Sequence, residues 1–184
     1  MDAGQILVCV ADPFRNHDNV RVAASKGVSL MSMDMIPRRL SRAQAMDVNS
    51  SQDNLAGYKA VLIGSAHVPR GIPMMTTSAG TVRPCKFVIM GSGVAGLQAA
   101  ATAKRLGAIV SAFDVRPDCR EQVESVGARF VEFALKSEDA EDVGGYAREQ
   151  TEEFLNKQRE FMAEVASEHD IVITTAAIPG RQSP

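Results

Sequence analysis

Gly91-Ser92-Gly93-Val94-Ala95-Gly96 is the segment whose residue types and spacing most directly imply chemistry. Between a strand and a helix, its three glycines have different tasks. The first permits a tight turn, the second lets backbone approach a pyrophosphate, and the third allows the helix to pack close against the strand. The N-terminus of that helix offers N–H groups and the positive end of a dipole to an anion. Asp114 stands 23 residues after Gly91, at the end of the next apolar run. A carboxylate there accepts hydrogen bonds from the ribose hydroxyls of adenosine and repels a 2′-phosphate, which favours NAD over NADP. Arg116 is a counter-signal, because an arginine nearby can accommodate a 2′-phosphate. The competing reading is a glycine-rich turn that binds another nucleotide or none.

These residues need a strand–helix–strand frame, and the pattern supplies one. Lys86-Phe87-Val88-Ile89-Met90 reads as a strand, 94–106 as an Ala-rich helix ending in Lys104 and Arg105 before Gly107, and 109–113 as the next strand. Asp118 with Glu121 reads as a capping-box-like helix start, with Gly127 as its stop. A third strand is expected over 129–133. An acidic loop then leads through Gly144-Gly145-Tyr146 into a helix reaching about Ser167, with Phe154, Leu155, Phe161, Met162 and Val165 on one face, and a fourth strand over 171–175. Alternating strands and helices imply an α/β fold: a Rossmann-type parallel sheet, part of a doubly wound domain.

Upstream, Ile6-Leu7-Val8-Cys9-Val10 reads as a buried strand, 20–26 as a short helix ending at Gly27, 28–36 as a second strand and 41–66 as mostly helical. Residues 69–84 are rich in Pro, Gly and Thr, and Pro73 and Pro84 exclude regular helix. The expected division is therefore a partial N-terminal α/β subdomain with its connecting helix over 1–84 and a dinucleotide-binding domain over 85–184, shortened at its C-terminus.

Composition narrows the function classes. A formal net charge of −2 gives no electrostatic case for nucleic acid or an anionic membrane surface. No apolar run is long enough to cross a bilayer, and Met1-Asp2-Ala3-Gly4 opens no signal-peptide pattern. Cys9, Cys85 and Cys119 lie far apart, which fits a reducing compartment better than a disulfide framework or a zinc site. No Ser-His-Asp, Cys-His or metal-ligand spacing stands out. Taken alone, Ser41-Arg42-Ala43-Gln44-Ala45-Met46-Asp47 is a solvated, capped helix start and Gly144-Gly145-Tyr146 a plain loop.

Together these stretches resemble the NAD(H)-binding component, domain I, of proton-translocating nicotinamide nucleotide transhydrogenases. The likeness runs from about Gly27 onward through the 41–47 segment, Asn54-Leu55-Ala56-Gly57-Tyr58, residues 93–107, Phe113-Asp114-Val115-Arg116-Pro117, Glu121-Gln122-Val123-Glu124-Ser125, Gly144-Gly145-Tyr146-Ala147 and residues 170–180. Alanine dehydrogenases are a related, weaker match. The resemblance implies a nicotinamide loop in which Gln44 and Asp47 match directly, Ser50 matches a serine that contacts the carboxamide, and counting back from Gln44 selects Arg39 of the Arg38-Arg39 pair. It assigns Gly145 and Tyr146 to a mobile loop that closes over nucleotide. Gly91, Ser92, Gly93, Val94 and Gly96 fall to the dinucleotide turn, Asp114, Val115 and Arg116 to the adenosine end, and Gln158 and Ala177 to the remainder of the nucleotide site. Ala177 stands where a leucine is common, so a smaller contact is expected.

The implied activity is that of an oxidoreductase and translocase component. Hydride passes directly between NAD(H) here and NADP(H) on a partner domain, and a separate membrane domain translocates protons. The chemistry then belongs to the cofactors, so no general acid or base is required, and position and alignment supply much of the rate. Gln44 and Ser50 would orient the carboxamide, Arg39 with Asp47 would fix the nearby loop, and Tyr146 would shield the site from water. The expected partners are the NADP(H)-binding and membrane domains, with a homodimer if the domain is complete. The expected location is the cytoplasmic or organellar matrix side, peripheral to a membrane. Family members are about twice as long, with most of the first subdomain preceding the part matched here, so a fragment, a truncated form or a divergent gene product are all open readings. The alternatives are an alanine-dehydrogenase-like enzyme, which needs a substrate-binding lysine and histidine, a non-catalytic NAD-binding module, and a pure interaction protein.

Overall fold

A computed structural model describes residues 2–37, 40–132 and 152–176. The chain separates into two compact units, residues 1–52 and 53–184.

The first unit is a parallel strand–helix–strand. Strand β1 (Ile6–Cys9) pairs with β2 (Ser29–Ser32), and α1 (His17–Ser25) connects them. Gly27, at φ +66, ends α1 where a side chain would be strained. The expected burial of β1 is not met: Ile6 and Val8 are 64% and 58% exposed. A two-stranded sheet with α1 packed on one face half-buries only alternate residues, Leu7 and Cys9, by the two-residue period of a strand. The expected strand over 28–36 stops at Ser32 and turns into a 3₁₀ turn, Met33–Met35. There the Ala11 N–H donates to Ser32 Oγ and to Asp34 Oδ1, both at 3.2 Å, which ties the turn to the end of β1.

The expected helix over 41–66 divides into a 3₁₀ turn, Gln44–Met46, and α2 (Val48–His67). Asp47 makes the break. Its backbone leaves the helical region, and its carboxylate accepts the Ser50 N–H at 2.9 Å and the Ser50 hydroxyl at 2.6 Å. This is an N-cap with its third-residue partner.

The second unit carries a four-stranded parallel sheet in the order β7-β6-β5-β8, from β5 (Lys86–Met90), β6 (Ile109–Phe113), β7 (Arg129–Phe130) and β8 (Ile171–Thr174). Helices α3 (Val94–Arg105), α4 (Cys119–Ser125) and α5 (Glu152–Ser167) lie between them in sequence. This is the order of the first four strands, 3-2-1-4, of a doubly wound sheet. The core sets Phe87, Ile89, Val110 and Ile173 against Ala99, Ala100 and Ala103 of α3 and Val123 of α4. Alanines on α3 let helix and sheet backbones come close. Gly107 and Gly127 take positive φ beyond α3 and α4, in line with the sequence pattern. Asp118 does not cap α4 with its side chain, because its own backbone is already helical. Strand β7 is shorter than expected, and Phe133 lies outside the described residues.

Residues 69–84 hold an antiparallel hairpin, β3 (Met75–Thr77) and β4 (Gly80–Val82), where the sequence pattern predicts no strand. The stretch is fastened to the second unit. Arg70 Nη1 meets Asp170 Oδ1 at 2.9 Å, its Nη2 donates to the Arg83 carbonyl, and the Cys85 N–H donates to the Ile72 carbonyl. The division into compact units accordingly falls near residue 52, upstream of this stretch.

Within the second unit, α2 crosses the first turn of α3 at Gly57. A Cβ added there would stand 2.0 Å from the Ala95 carbonyl oxygen and 2.8 Å from its carbon. Backbone atoms cannot swing aside as a flexible side chain can. Gly57→Ala should therefore cost about 1–3 kcal/mol of stability, as overpacking does. Thermal or denaturant unfolding checks this, and a loss under about 0.5 kcal/mol, typical of a neutral surface change, would contradict it.

Candidate functional site

The ends of β5, β6 and β8 converge on the glycine turn. Gly91 leaves β5 at φ +98, and its N–H donates to the Phe113 carbonyl at 2.8 Å. A Cβ on Gly91 would stand 2.7 Å from the Ala176 nitrogen. One on Gly96 would stand 1.8 Å from the Gly91 carbonyl oxygen. The first and third glycines are thus required by backbone packing. Gly93 differs: it is exposed, and a Cβ there would meet nothing within 4 Å. That is an open approach to bare backbone, as a pyrophosphate needs.

Gly93 is the N-cap of α3 and supplies no side-chain cap. The first-turn N–H groups of a helix have no intrahelical partner and carry the positive end of the dipole, and Gly93 beside them is open. Ser92 is 1% exposed, and its hydroxyl has no hydrogen-bond partner among the described residues. A buried orphan hydroxyl beside an open anion cradle is an unmet donor that a phosphate oxygen or a bridging water would satisfy. The turn therefore fits a dinucleotide pyrophosphate.

Asp114 lies just past β6, with its side chain 7% exposed. Its Oδ2 accepts the Ser92 N–H at 2.7 Å, which ties the acidic residue directly to the glycine turn. Its Oδ1 accepts the Arg116 N–H at 2.9 Å and Arg116 Nε at 3.0 Å. Burial raises the carboxyl pKa, but the Arg116 side chain, the N–H groups of Arg116 and Ser92 and the Arg116 charge outweigh it, so the group sits below the usual carboxylate range. Asp114 is consequently ionised at neutral pH and able to accept from hydroxyls.

Sequence reasoning misses Thr175. Its hydroxyl donates to the Gly91 carbonyl at 2.9 Å and lies 3.3 Å from the Met90 carbonyl, so the end of β8 clasps the turn. A threonine closing an apolar strand looks like ordinary β-propensity, and only the crossover that lays β8 beside β5 gives it this task. Val94 and Val115 are half-buried beside the turn and Asp114, and Gln158 is half-buried on α5. Of the expected nicotinamide residues, Gln44 is exposed in the 3₁₀ turn, and Asp47 and Ser50 are brought together as the cap of α2. Arg39, Gly145, Tyr146 and Ala177 lie outside the described residues.

The depressed pKa of Asp114 makes stability depend on pH with a definite sign. Below the unfolded-chain value, near 3.8, the unfolded state binds the proton more readily than the folded one. The contribution is full above that value and is lost as pH falls through the lower folded value. Asp114→Asn should therefore flatten the decline of the unfolding midpoint with falling pH below about 4.5. An unchanged slope in calorimetric scans would contradict the assignment.

Comparison with known proteins identifies the family. The family described as alanine dehydrogenase/PNT, C-terminal domain, matches residues 60–184. The NAD(P) transhydrogenase subunit alpha of Cereibacter sphaeroides is 47% identical over 184 residues, covering 98% of this chain and 35% of that one. The NAD(P) transhydrogenase subunit alpha of Haemophilus influenzae is 43% identical over 184 residues, covering 100% of this chain and 36% of that one. The crystal structure of transhydrogenase from Sinorhizobium meliloti superposes with a TM-score of 0.82 at 45% identity, over 100% of this chain and 48% of that chain. An L-alanine dehydrogenase structure, 22% identical, superposes at 0.59 over 71% of this chain and 37% of that one, and shows the shared fold. The chain spans about half the length, or less, of the curated relatives it matches. With residues 60–184 matched by the model of its C-terminal domain, the chain belongs to the alanine dehydrogenase/PNT family.

Proposed function

We propose that this chain forms the NAD(H)-binding part of a proton-translocating transhydrogenase, an oxidoreductase component. The observation that carries the reading is the ionised Asp114 bonded to the Ser92 N–H beside the exposed Gly93. This pairs a ribose acceptor with a pyrophosphate cradle. The curated relatives' names as alpha subunits support the assignment to a multi-subunit enzyme.

Bound NAD(H) supplies the hydride chemistry, exchanging hydride with NADP(H) held on a partner domain. The first turn of α3 binds the pyrophosphate by N–H donation, and Gly93 permits its approach. Asp114 accepts from the adenosine ribose and sets the preference for NAD(H), with Val115 and Arg116 beside it at the adenosine end. Gln44 and Ser50 orient the nicotinamide carboxamide. Because the Ser50 hydroxyl spends its hydrogen on Asp47, it meets the carboxamide as an acceptor and selects its N–H side. Asp47 thereby fixes Ser50, with Arg39 supporting the same loop. Gly145 and Tyr146 close over the nucleotide and exclude water, and Gln158 and Ala177 complete the nucleotide wall.

No helix among the described residues is long and apolar enough to cross a membrane. In this reading proton translocation belongs to a separate membrane domain, with this component peripheral on the cytoplasmic or matrix side and forming a homodimer. An alanine-dehydrogenase-like activity is the second reading, favoured by the family match itself. Turnover of pyruvate, ammonia and NADH would establish it in place of the first.

Gln44→Asn shortens the carboxamide-orienting arm by one methylene and should slow hydride transfer to an NADP(H)-loaded partner about tenfold or more, with NADH affinity little changed. Stopped-flow measurement of the reconstituted pair reads this. Equal transfer rates in variant and wild type would remove Gln44 from the nicotinamide site.

A further inference from the structure

The Asp114 carboxylate is already saturated by the protein. Besides the three bonds described above, its Oδ2 lies 3.2 Å from Arg116 Nη2. A carboxylate offers about four lone-pair sites, two on each oxygen. Here two are taken by backbone N–H groups, of Ser92 and Arg116, and two by the Arg116 guanidinium as a fork. A ribose diol needs acceptor positions on this same group. The backbone donors are held by the glycine turn and the residues after β6. The guanidinium hangs on rotatable bonds, and its side chain is 22% exposed against 7% for Asp114. Of the donors on Asp114 it is the one not fixed by the backbone.

We propose that Arg116 is a built-in competitor for the ribose: its guanidinium occupies the acceptor positions that an adenosine cis-diol requires, and diol binding displaces it. This rests on the NAD(H) reading and goes beyond it. The backbone bonds keep the carboxylate aimed while the side-chain fork is exchanged for two hydroxyls. The exchange replaces an ion pair with hydroxyl donors that carry no charge, so it weakens binding relative to a bare carboxylate and favours nucleotide release. It also makes affinity rise with ionic strength at the adenosine end, because salt weakens the partly exposed ion pair and not the hydroxyl contacts.

The test uses the whole chain, with NADH and reduced nicotinamide mononucleotide, which lacks the adenosine ribose, as probes. Arg116→Met retains an apolar stem without the fork. It should bind NADH severalfold more tightly than wild type and the mononucleotide equally well. Arg116→Lys, with one donor group in place of two, should fall between, and it serves as the second variant if Arg116→Met unfolds. In parallel, the Arg116 Nε–H proton resonance, assigned by its loss in Arg116→Lys, should be protected in wild type and lose that protection at saturating NADH but not at saturating mononucleotide. Unchanged or weaker NADH binding by both variants overturns the proposal, as does an Nε–H that stays protected with NADH bound. If wild type binds NADH normally, either result leaves the NAD(H) reading standing. Failure of wild type to bind NADH overturns both.

Discussion

The hydrogen bond from the Ser92 N–H to Asp114, at 2.7 Å, holds the candidate site together. It joins the turn after β5 to the residue after β6, so one bond fixes the spacing between a phosphate cradle and a ribose acceptor. Forming it requires backbone to approach backbone more closely than side chains allow. Gly96 lies against the Gly91 carbonyl and Gly91 against Ala176, and Gly57 admits α2 against Ala95. The small residues of α3 and the clasp of Thr175 on Gly91 serve the same constraint. The binding geometry is therefore a packing consequence as much as a set of side-chain choices.

Much of this is legible in the residues. The strand–turn–helix frame and the sheet follow from apolar runs punctuated by glycine, and the boundaries of α3 match the expectation to within a residue. Asp114 is legible because its distance from the turn is set by one helix and one strand. What escapes has identifiable causes. The hairpin of Met75–Thr77 and Gly80–Val82 is exposed on every residue, so it carries no alternation of apolar and polar positions to detect. The pattern starts α2 too early because the cap is Asp47, a residue inside the apparent helical stretch. By type and position Arg116 suggests tolerance of a phosphate, whereas the fold turns its guanidinium back on Asp114, a contact two residues away that no periodicity encodes.

The two compact units divide the assignment. The residues proposed to hold the dinucleotide, Gly91 to Gly96 and Asp114, lie with Thr175 in the second unit and share one set of strand ends. Gln44, Asp47 and Ser50 lie in the first, where the structure gives Asp47 and Ser50 a structural task, the break and cap before α2. A cap and a cofactor contact are compatible, since the Asp47–Ser50 bond fixes the direction in which the serine can act.

Fluorescence titration of NADH and NADPH against wild type and Asp114→Ala addresses the ribose reading without intermediaries. Wild type should bind NADH selectively, and the variant should lose at least about tenfold in affinity, which corresponds to removal of roughly 1.4 kcal/mol of charge-assisted contact. Equal binding of both nucleotides by wild type, or an Asp114→Ala variant that binds NADH as wild type does, would show that this carboxylate does not read the ribose.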